Sequence, residues 1–416
     1  MEFRDNAIHI MVEHFRSDAI AAYHPYIRQA TSRLLRSLSG IQSTTMVTQY
    51  DDLQAIVRQH AASIILYTTY GITEQEDMDA FIELVNNAAE SINATAIHGS
   101  FLMDYFPLLR YVPAWFPGAH FKRKAVHWAQ STSELVNKPW NQLRASISSG
   151  TAISCFGTKC LQKLNLTLNA ADATEDTSDL GCQRQPLTQR WKRSLEIVLA
   201  QHIWVSAMPW NIFPKLSFNI AINITCTAGA DTSVSLILIS VLVLSHHPEV
   251  QAKAQEELDQ VLSSTANSSQ LPDFSDRGSL QYVEAIFKEI LRMYPGVPLG
   301  TTVVANAWTE PQSGAPSSKH SFNPDPELYA FGFGRRICPG RHLALDTSWL
   351  VLACILATCN ITRISSDKSK EIDPIADFAD GLVAHPQPFK CCIIPRSAGA
   401  FELMKSGYEA GVGMEA

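Results

Sequence analysis

The sequence lacks the features that mark secreted, membrane-spanning and nucleic-acid-binding proteins. Its nine cysteines include no Cys-x-x-Cys pair, and residues 1–6 carry charge where a secretory leader would be apolar. We therefore expect a reducing compartment rather than a disulfide framework. No long basic run occurs and the net charge is −7, which argues for a small-molecule partner and against nucleic acid. The most apolar stretch, residues 236–244, is too short to span a bilayer, and we expect it to form a buried helix.

The chain has ample material for a large helical core, with 416 residues of which 46% are hydrophobic and 18% are charged. Apolar positions recur at helical spacing between charged ones, which predicts amphipathic helices over residues 19–38, 52–70, 77–92 and 121–140. The expected fold class is mainly α with a small β region. We expect residues 1–416 to form a single domain.

Residues 331–340 have the pattern of a loop that holds one cysteine against haem iron, with the sequence FGFGRRICPG. Cys338 would supply a thiolate, which pushes electron density onto the iron and favours cleavage of the O–O bond of dioxygen. Gly334 and Gly340 let the backbone approach the sulfur and turn sharply before a helix, whose first N–H groups then point at the sulfur. Arg336 has the charge to hold a haem propionate. A lone cysteine between glycines is usually a buried structural thiol, but ten patterned positions favour the ligand.

This loop resembles the haem-ligand signature of the cytochrome P-450 monooxygenase family, Phe-x-x-Gly-x-Arg-x-Cys-x-Gly, and every fixed position matches. The resemblance implies heme b, which is iron protoporphyrin IX, as a thiolate-ligated cofactor. It implies that Cys338 is the axial ligand of the haem iron and that Arg336 holds a propionate. The further cofactor-binding residues that it implies are Phe331, Gly334 and Gly340.

A second motif places an acid and a hydroxyl in an apolar helix, at residues 228–233 with the sequence AGADTS. Burying either group without a partner would cost free energy. Gly229 leaves room for haem and dioxygen, and Thr232 can bond back to a carbonyl one turn earlier and bend the helix. The motif resembles the oxygen-activation segment of the family's long central helix. That resemblance implies that Asp231 and Thr232 are catalytic residues that relay protons, and a simple helix kink is the alternative.

A third motif pairs Glu289 with Arg292, which stand three residues apart on one helical face. A solvated ion pair of this kind is common and contributes little stability. The family, however, has a Glu-x-x-Arg pair before its haem loop, so the resemblance implies that both residues are structural and brace the haem side of the core. The likeness is best over residues 15–140, 229–300 and 331–396.

The chain also departs from the family pattern in three places. The interval between Arg292 and Cys338 is shorter than in the family, and the arginine that normally joins the Glu-x-x-Arg pair is absent. The membrane anchor, the first sheet strands and the Trp-x-x-x-Arg helix of the family are not found. We therefore expect a chain that is truncated at its N-terminus and internally shortened, with an incomplete cytochrome P-450-like fold.

The resemblance implies a haem-thiolate monooxygenase of the fungal branch that oxidises natural products in secondary metabolism. Such an enzyme inserts one oxygen atom from dioxygen into a small apolar organic substrate, with electrons that an NADPH-cytochrome reductase delivers. By resemblance it would lie on the cytosolic face of the endoplasmic reticulum membrane, or in the cytoplasm if it has no anchor. Two alternatives stay open, namely a catalytically silent or haem-deficient family member, and a haem-thiolate isomerase or dehydratase that needs no external electrons.

Overall fold

The fold is mainly helical with a small β region, as the sequence predicts. The structure, a computed structural model, describes residues 11–42, 47–73, 75–96, 101, 105–106, 109, 111–113, 115–162, 213–264, 270–293, 325–332, 334, 337–364, 378–379 and 383–408. The helices are α1 (Ser17–Ile20), α2 (His24–Gln42), α3 (Tyr50–Tyr70), α4 (Gln75–Ala96), α5 (His120–Ser149), α6 (Phe213–His246), α7 (Pro248–Ser264), α8 (Gln281–Met293), α9 (Glu327–Ala330), α10 (Arg341–Thr358) and α11 (Ala398–Ser406). The strands are β1 (Cys359–Arg363), β2 (Phe378–Ala379), β3 (His385–Pro386) and β4 (Cys391–Pro395).

The four helices predicted from periodicity are all present, as α2 with the short α1 before it, α3, α4 and α5. The largest difference is at the end of α5, which continues nine residues past the predicted end at Trp140 and passes through Pro139. It stops at Gly150, whose φ of 75° is left-handed and favours glycine as a helix cap. The Gly150 and Thr151 N–H groups donate to the carbonyls of Ile147 and Ser146, which satisfies the last turn.

Contacts between residues group the chain into two compact units. One unit comprises Met1–Ile10 and Ile65–Thr227, and within it α4 packs against α5. The other comprises Met11–Ile64 and Ala228–Ala416 and contains all three motifs singled out above. The single domain of residues 1–416 stays a prediction.

Helix α10 is the centre of the second unit. It is apolar around most of its circumference, and its Trp349, Leu350 and Ala353 are fully buried, as expected of a helix surrounded by others. Helices α1, α2, α7, α8 and α11 all contact it. Because α10 begins three residues after Cys338, this packing fixes the end of the cysteine loop.

The β region of the second unit consists of two antiparallel pairs. Strand β1 pairs with β4 from Cys359 opposite Pro395 to Arg363 opposite Cys391, and β2 pairs with β3. Helix α7 covers the other edge of β1, because the Gln251 side chain accepts from the Ile361 N–H at 2.7 Å and donates to the Ile361 carbonyl at 3.0 Å. An amide side chain thus substitutes for a neighbouring strand and leaves no exposed edge at this point.

Replacing the buried Gln251 with leucine is expected to lower the free energy of unfolding by about 2 kcal/mol, because it orphans the N–H and the carbonyl of Ile361 in the interior. Urea denaturation followed by circular dichroism measures the change. The matched control is Gln260→Leu in the same helix, at an exposed site, with an expected effect within about 0.5 kcal/mol. Equal midpoints for the two variants would contradict this account of the edge.

Candidate functional site

The loop that contains Cys338 is closed by its own backbone hydrogen bonds between α9 and α10. The Cys338 N–H donates to the Phe331 carbonyl at 2.8 Å, and the Ile337 N–H donates to the Gly334 carbonyl at 3.2 Å. Gly334 has a left-handed φ of 58°, and so does Gly332 with 78°, conformations that side-chain-bearing residues rarely adopt. The glycines therefore make the turn that returns the chain to the cysteine.

The Cys338 thiol is half-buried and forms no disulfide. Burial raises its pKa, while a hydrogen bond from the Gly340 backbone and the positive charge of Arg341 act in the opposite direction. An N–H group and a cation at the start of a helix are the groups that stabilise a thiolate, and a metal would complete that deprotonation. These surroundings suit a thiol that loses its proton when it binds a metal.

The glycines of the loop also leave space for a cofactor. Among the described residues, no atom lies within 4 Å of the position that a β-carbon would take on Gly334 or on Gly340. A flat group can therefore approach the backbone on both sides of Cys338. Together with the thiol, this open space fits the haem that the sequence predicts. Phe331 closes the loop through its carbonyl, whereas Arg336 lies outside the described residues and its contact with a propionate stays a prediction.

The predicted pair of Glu289 and Arg292 is formed in α8. Arg292 donates to the two carboxylate oxygens of Glu289 at 2.7 and 2.6 Å, and this hydrogen bond lowers the pKa of Glu289 and raises that of Arg292. Glu289 is 55% exposed, so the pair alone adds little stability. Its position matters more, because Arg292 lies near Tyr329 in α9, two residues before the loop begins.

A second cation of α8 also contacts the segment that leads into the loop. Lys288 lies 3.3 Å from a carboxylate oxygen of Asp325 and 3.7 Å from one of Glu327. Asp325 in turn accepts from the Glu327 N–H at 3.1 Å, which fixes the start of α9. The bracing role of α8 on the haem side stays a prediction that these contacts support.

A charged network that the motifs did not indicate fixes the exit from the loop. Arg277 donates to Glu284 of α8 at 2.9 Å and to Asp346 of α10 at 3.1 Å, and its guanidinium lies over the Trp349 ring. His24 of α2 also contacts Asp346, at 2.9 Å. The signal in the sequence was Asp346 itself, the one acidic residue of the largely apolar helix α10. Helix α8 contacts both α9 and α10. Because these two helices flank the loop, its two ends are fixed relative to α8.

The two residues predicted to relay protons lie next to each other in α6 but in different surroundings. Asp231 is 6% exposed. One of its carboxylate oxygens lies 3.1 Å from His385 Nε2, within hydrogen-bond distance, and 3.9 Å from a guanidinium nitrogen of Arg58. Thr232 is exposed. The sequence motif identified Asp231 but not its partners Arg58 and His385, which lie far away in sequence. The proton-relay roles of Asp231 and Thr232 stay predictions.

Among the described residues, one helix, α6, is long and apolar enough to cross a membrane. The qualifying window is Gly229–His246, with a mean hydropathy of 1.5, and 78% of it is buried inside the protein. A core helix of a protein has the same length and composition. This burial agrees with the expectation of a buried helix over residues 236–244.

A model of the cytochrome P-450 family matches residues 215–310 and 308–393 of this chain. A cytochrome P-450 monooxygenase of Armillaria gallica is 34% identical over 381 residues, which cover 84% of this chain and 66% of the relative. A cytochrome P-450 monooxygenase of Postia placenta is 32% identical over 85% of this chain and 66% of its own length. The cytochrome P-450 monooxygenase claR of Ampulloclitocybe clavipes is 30% identical over 84% of this chain and 62% of its own length.

A solved structure of a zebrafish cytochrome P-450 with progesterone has the same fold, with a TM-score of 0.59 and 16% sequence identity over 95% of this chain and 82% of that one. The chain spans slightly less than two thirds of the length of the three fungal relatives. The family match contains the Asp231, Glu289 and Cys338 motifs, in the order that the sequence predicts. On these grounds, this chain belongs to the cytochrome P-450 family.

Proposed function

We propose that the protein binds heme b through Cys338 and acts as a monooxygenase. The observation that carries the proposal is the Cys338 loop, in which a half-buried thiol receives a hydrogen bond from the Gly340 backbone. No atom of the described residues fills the space beside Gly334 or Gly340. When bound, the haem supplies the activation of dioxygen, which no side chain of the protein can perform. The identity of the relatives as fungal monooxygenases supports the same reaction for this chain.

Each residue of the site would have a distinct task. Cys338 would hold the iron as a thiolate, and Arg336 would hold a propionate by a charge-assisted hydrogen bond. Asp231 and Thr232 would hold and pass on protons at a carboxylate oxygen and at the hydroxyl. The Glu289–Arg292 pair would keep α8 against the entrance of the loop. Positioned groups of this kind contribute to rate only when their neighbours hold them in one geometry.

The substrate would be a small apolar organic molecule of fungal secondary metabolism, and the electrons would come from NADPH through a cytochrome reductase. The fungal origin of the relatives supports this assignment.

Association with the endoplasmic reticulum membrane belongs to the same proposal. In the first unit, aromatic side chains are exposed at Tyr105, Phe106, Trp115 and Phe116, and the basic run of residues 122–124 follows them. Exposed aromatic rings beside basic residues suit the interface between lipid headgroups and acyl chains. This surface supports contact with the cytosolic face of the membrane.

The reaction is tested by supplying NADPH, a cytochrome reductase and ¹⁸O-labelled dioxygen to the haem-loaded protein with a library of small apolar hydrocarbons. We expect a product that carries one labelled oxygen atom, with one NADPH consumed for each product formed. A product that forms without NADPH would identify an isomerase or dehydratase instead. Haem-loaded protein that forms no product and consumes no NADPH above the reductase background, or protein that takes up no haem, would support the catalytically silent alternative.

A further inference from the structure

Asp231 is held by side chains from two other elements of its own unit. His385 of β3 approaches one carboxylate oxygen of Asp231 with Nε2 at 3.1 Å, and Arg58 of α3 lies 3.9 Å from the same oxygen. The exposed fractions of the side chains are 6% for Asp231, 12% for His385 and 24% for Arg58. A carboxylate this deeply buried needs such partners, because an unpaired charge in the interior is strongly destabilising.

A second attachment fixes the backbone beside His385. The Ser235 hydroxyl of α6 donates to the Ala384 carbonyl, and Ser235 stands four residues after Asp231, on the same face of the helix. One turn of α6 therefore binds two consecutive residues of the segment that forms β3. A side chain whose backbone is fixed in this way loses little freedom when it contacts the carboxylate, so the orientation of His385 is set in advance.

Other groups of α3 also lie near the carboxylate. Burial raises the pKa of Tyr50, with Arg58 opposing this effect and the negative Asp51 and Asp231 adding to it, so all these groups lie close together. Two buried nitrogens, His385 Nδ1 and Arg58 Nε, have no hydrogen-bond partner among the described residues. Leaving these buried polar atoms without a partner costs free energy, which reduces the stability that the cluster contributes.

We infer that His385 is a positioning residue for Asp231, with its own backbone fixed by Ser235 and with Arg58 as the second side chain that faces the carboxylate. This inference rests on the proposed function, in which Asp231 handles protons. Under it, His385 sets which way the Asp231 carboxylate points, and loss of the imidazole impairs proton delivery without removing the haem ligand. The matched replacement is glutamine, whose amide N–H can donate to the same carboxylate.

The first measurement needs no turnover. A double-mutant cycle of Asp231→Asn and His385→Leu, followed by urea unfolding, is expected to show non-additivity of about tenfold in the unfolding equilibrium constant. Additive effects would mean that the two side chains do not interact and would overturn the inference. Because this cycle is independent of haem chemistry, it keeps its meaning even if the proposed function is wrong.

The second measurement compares haem-loaded variants that keep the thiolate-specific carbon monoxide band. With a substrate that the wild type oxidises, His385→Leu is expected to lower product formed per NADPH by about tenfold and to raise the solvent deuterium isotope effect on turnover. His385→Gln is expected to restore most of this loss, and the exposed Gln387→Ala serves as a control in the same segment. Wild-type coupling in His385→Leu would contradict the positioning role.

If His385→Leu does not fold, Ser235→Ala provides a second test of the same inference. It leaves every charge in place and removes only the hydroxyl that holds the Ala384 carbonyl. We expect product formed per NADPH to fall about twofold, because the imidazole becomes less well oriented. An unchanged ratio in Ser235→Ala would overturn the inference, and so would wild-type coupling in all of these variants. A wild-type protein with no haem band would instead refute the proposed function.

Discussion

Replacing Cys338 with serine is expected to abolish thiolate-ligated haem and to reduce monooxygenase activity to background. Serine keeps the size and the hydrogen-bonding capacity of the side chain, but its hydroxyl is not the soft, electron-donating ligand that a thiolate is. The loop itself should survive, since the Cys338 N–H bond to the Phe331 carbonyl and the glycine turns involve only backbone. The fold of α10 and the free energy of unfolding of the haem-free protein should therefore change little.

The control for this substitution is Cys392→Ser, at another half-buried cysteine that forms no disulfide. It lies in β4, away from the loop in sequence, and its replacement is expected to leave the spectrum unchanged. Absorbance spectra of the reduced, carbon monoxide-treated proteins compare the two variants directly. A thiolate-type band that persists in Cys338→Ser would show that another residue is the ligand.

The second large expected effect is a loss of stability in mild acid that depends on His60. This histidine is fully buried in α3, and burial lowers its pKa from 6.5 to about 4, with the positive charge of Arg33 acting in the same direction and the Ala30 carbonyl opposing it. Among the described residues, neither ring nitrogen has a hydrogen bond of normal geometry. The neutral ring is therefore the form that the folded protein accepts.

The sign of the pH dependence follows from the depressed pKa. Above pH 6.5 the ring is neutral in both the folded and the unfolded chain, so burial of charge costs nothing. Between pH 6.5 and about 4 only the unfolded chain takes up the proton, and the free energy of unfolding falls as the pH falls. The full loss is about 3 kcal/mol and is reached near pH 4.

His60→Leu is expected to remove this part of the acid sensitivity. From pH 7 to pH 5 the wild type should lose about 2 kcal/mol more of its free energy of unfolding than the variant does, because titration of carboxylates is common to both. Urea denaturation at a series of pH values measures the difference. The exposed His127→Leu should behave like the wild type. Parallel pH curves for the wild type and His60→Leu would contradict the account.

The helices and the cysteine loop could be predicted from the sequence because their signals are local. Helix α3 follows from its apolar spacing, the bond between Glu289 and Arg292 follows from a separation of three residues, and the turn at Cys338 follows from its glycines. The contacts of Asp231 with Arg58 and His385 could not be predicted, because those partners lie more than 150 residues away from it along the chain. Only the three-dimensional packing of α3, α6 and β3 brings them together.

The β region shows the same division between local and distant signals. A small β region was expected, but the pairing of β1 with β4 joins residues more than 25 positions apart, and the β1 edge is covered by Gln251 of a helix. A glutamine among charged helical residues gives no sign that it substitutes for a strand. The network of Arg277 was missed for a related reason. Asp346 takes its partners from distant parts of the chain, His24 of α2 and Arg277 just before α8.

The central claim is that Cys338 ligates haem iron in a protein of the cytochrome P-450 family, and the spectrum of the reduced protein under carbon monoxide tests it most directly. The protein, supplied with haem during expression, is predicted to show a Soret band at the thiolate-specific position, and Cys338→Ser is predicted to lack it. A haem-free spectrum despite haem supplementation, or a band at the position typical of histidine-ligated haem, would contradict the account.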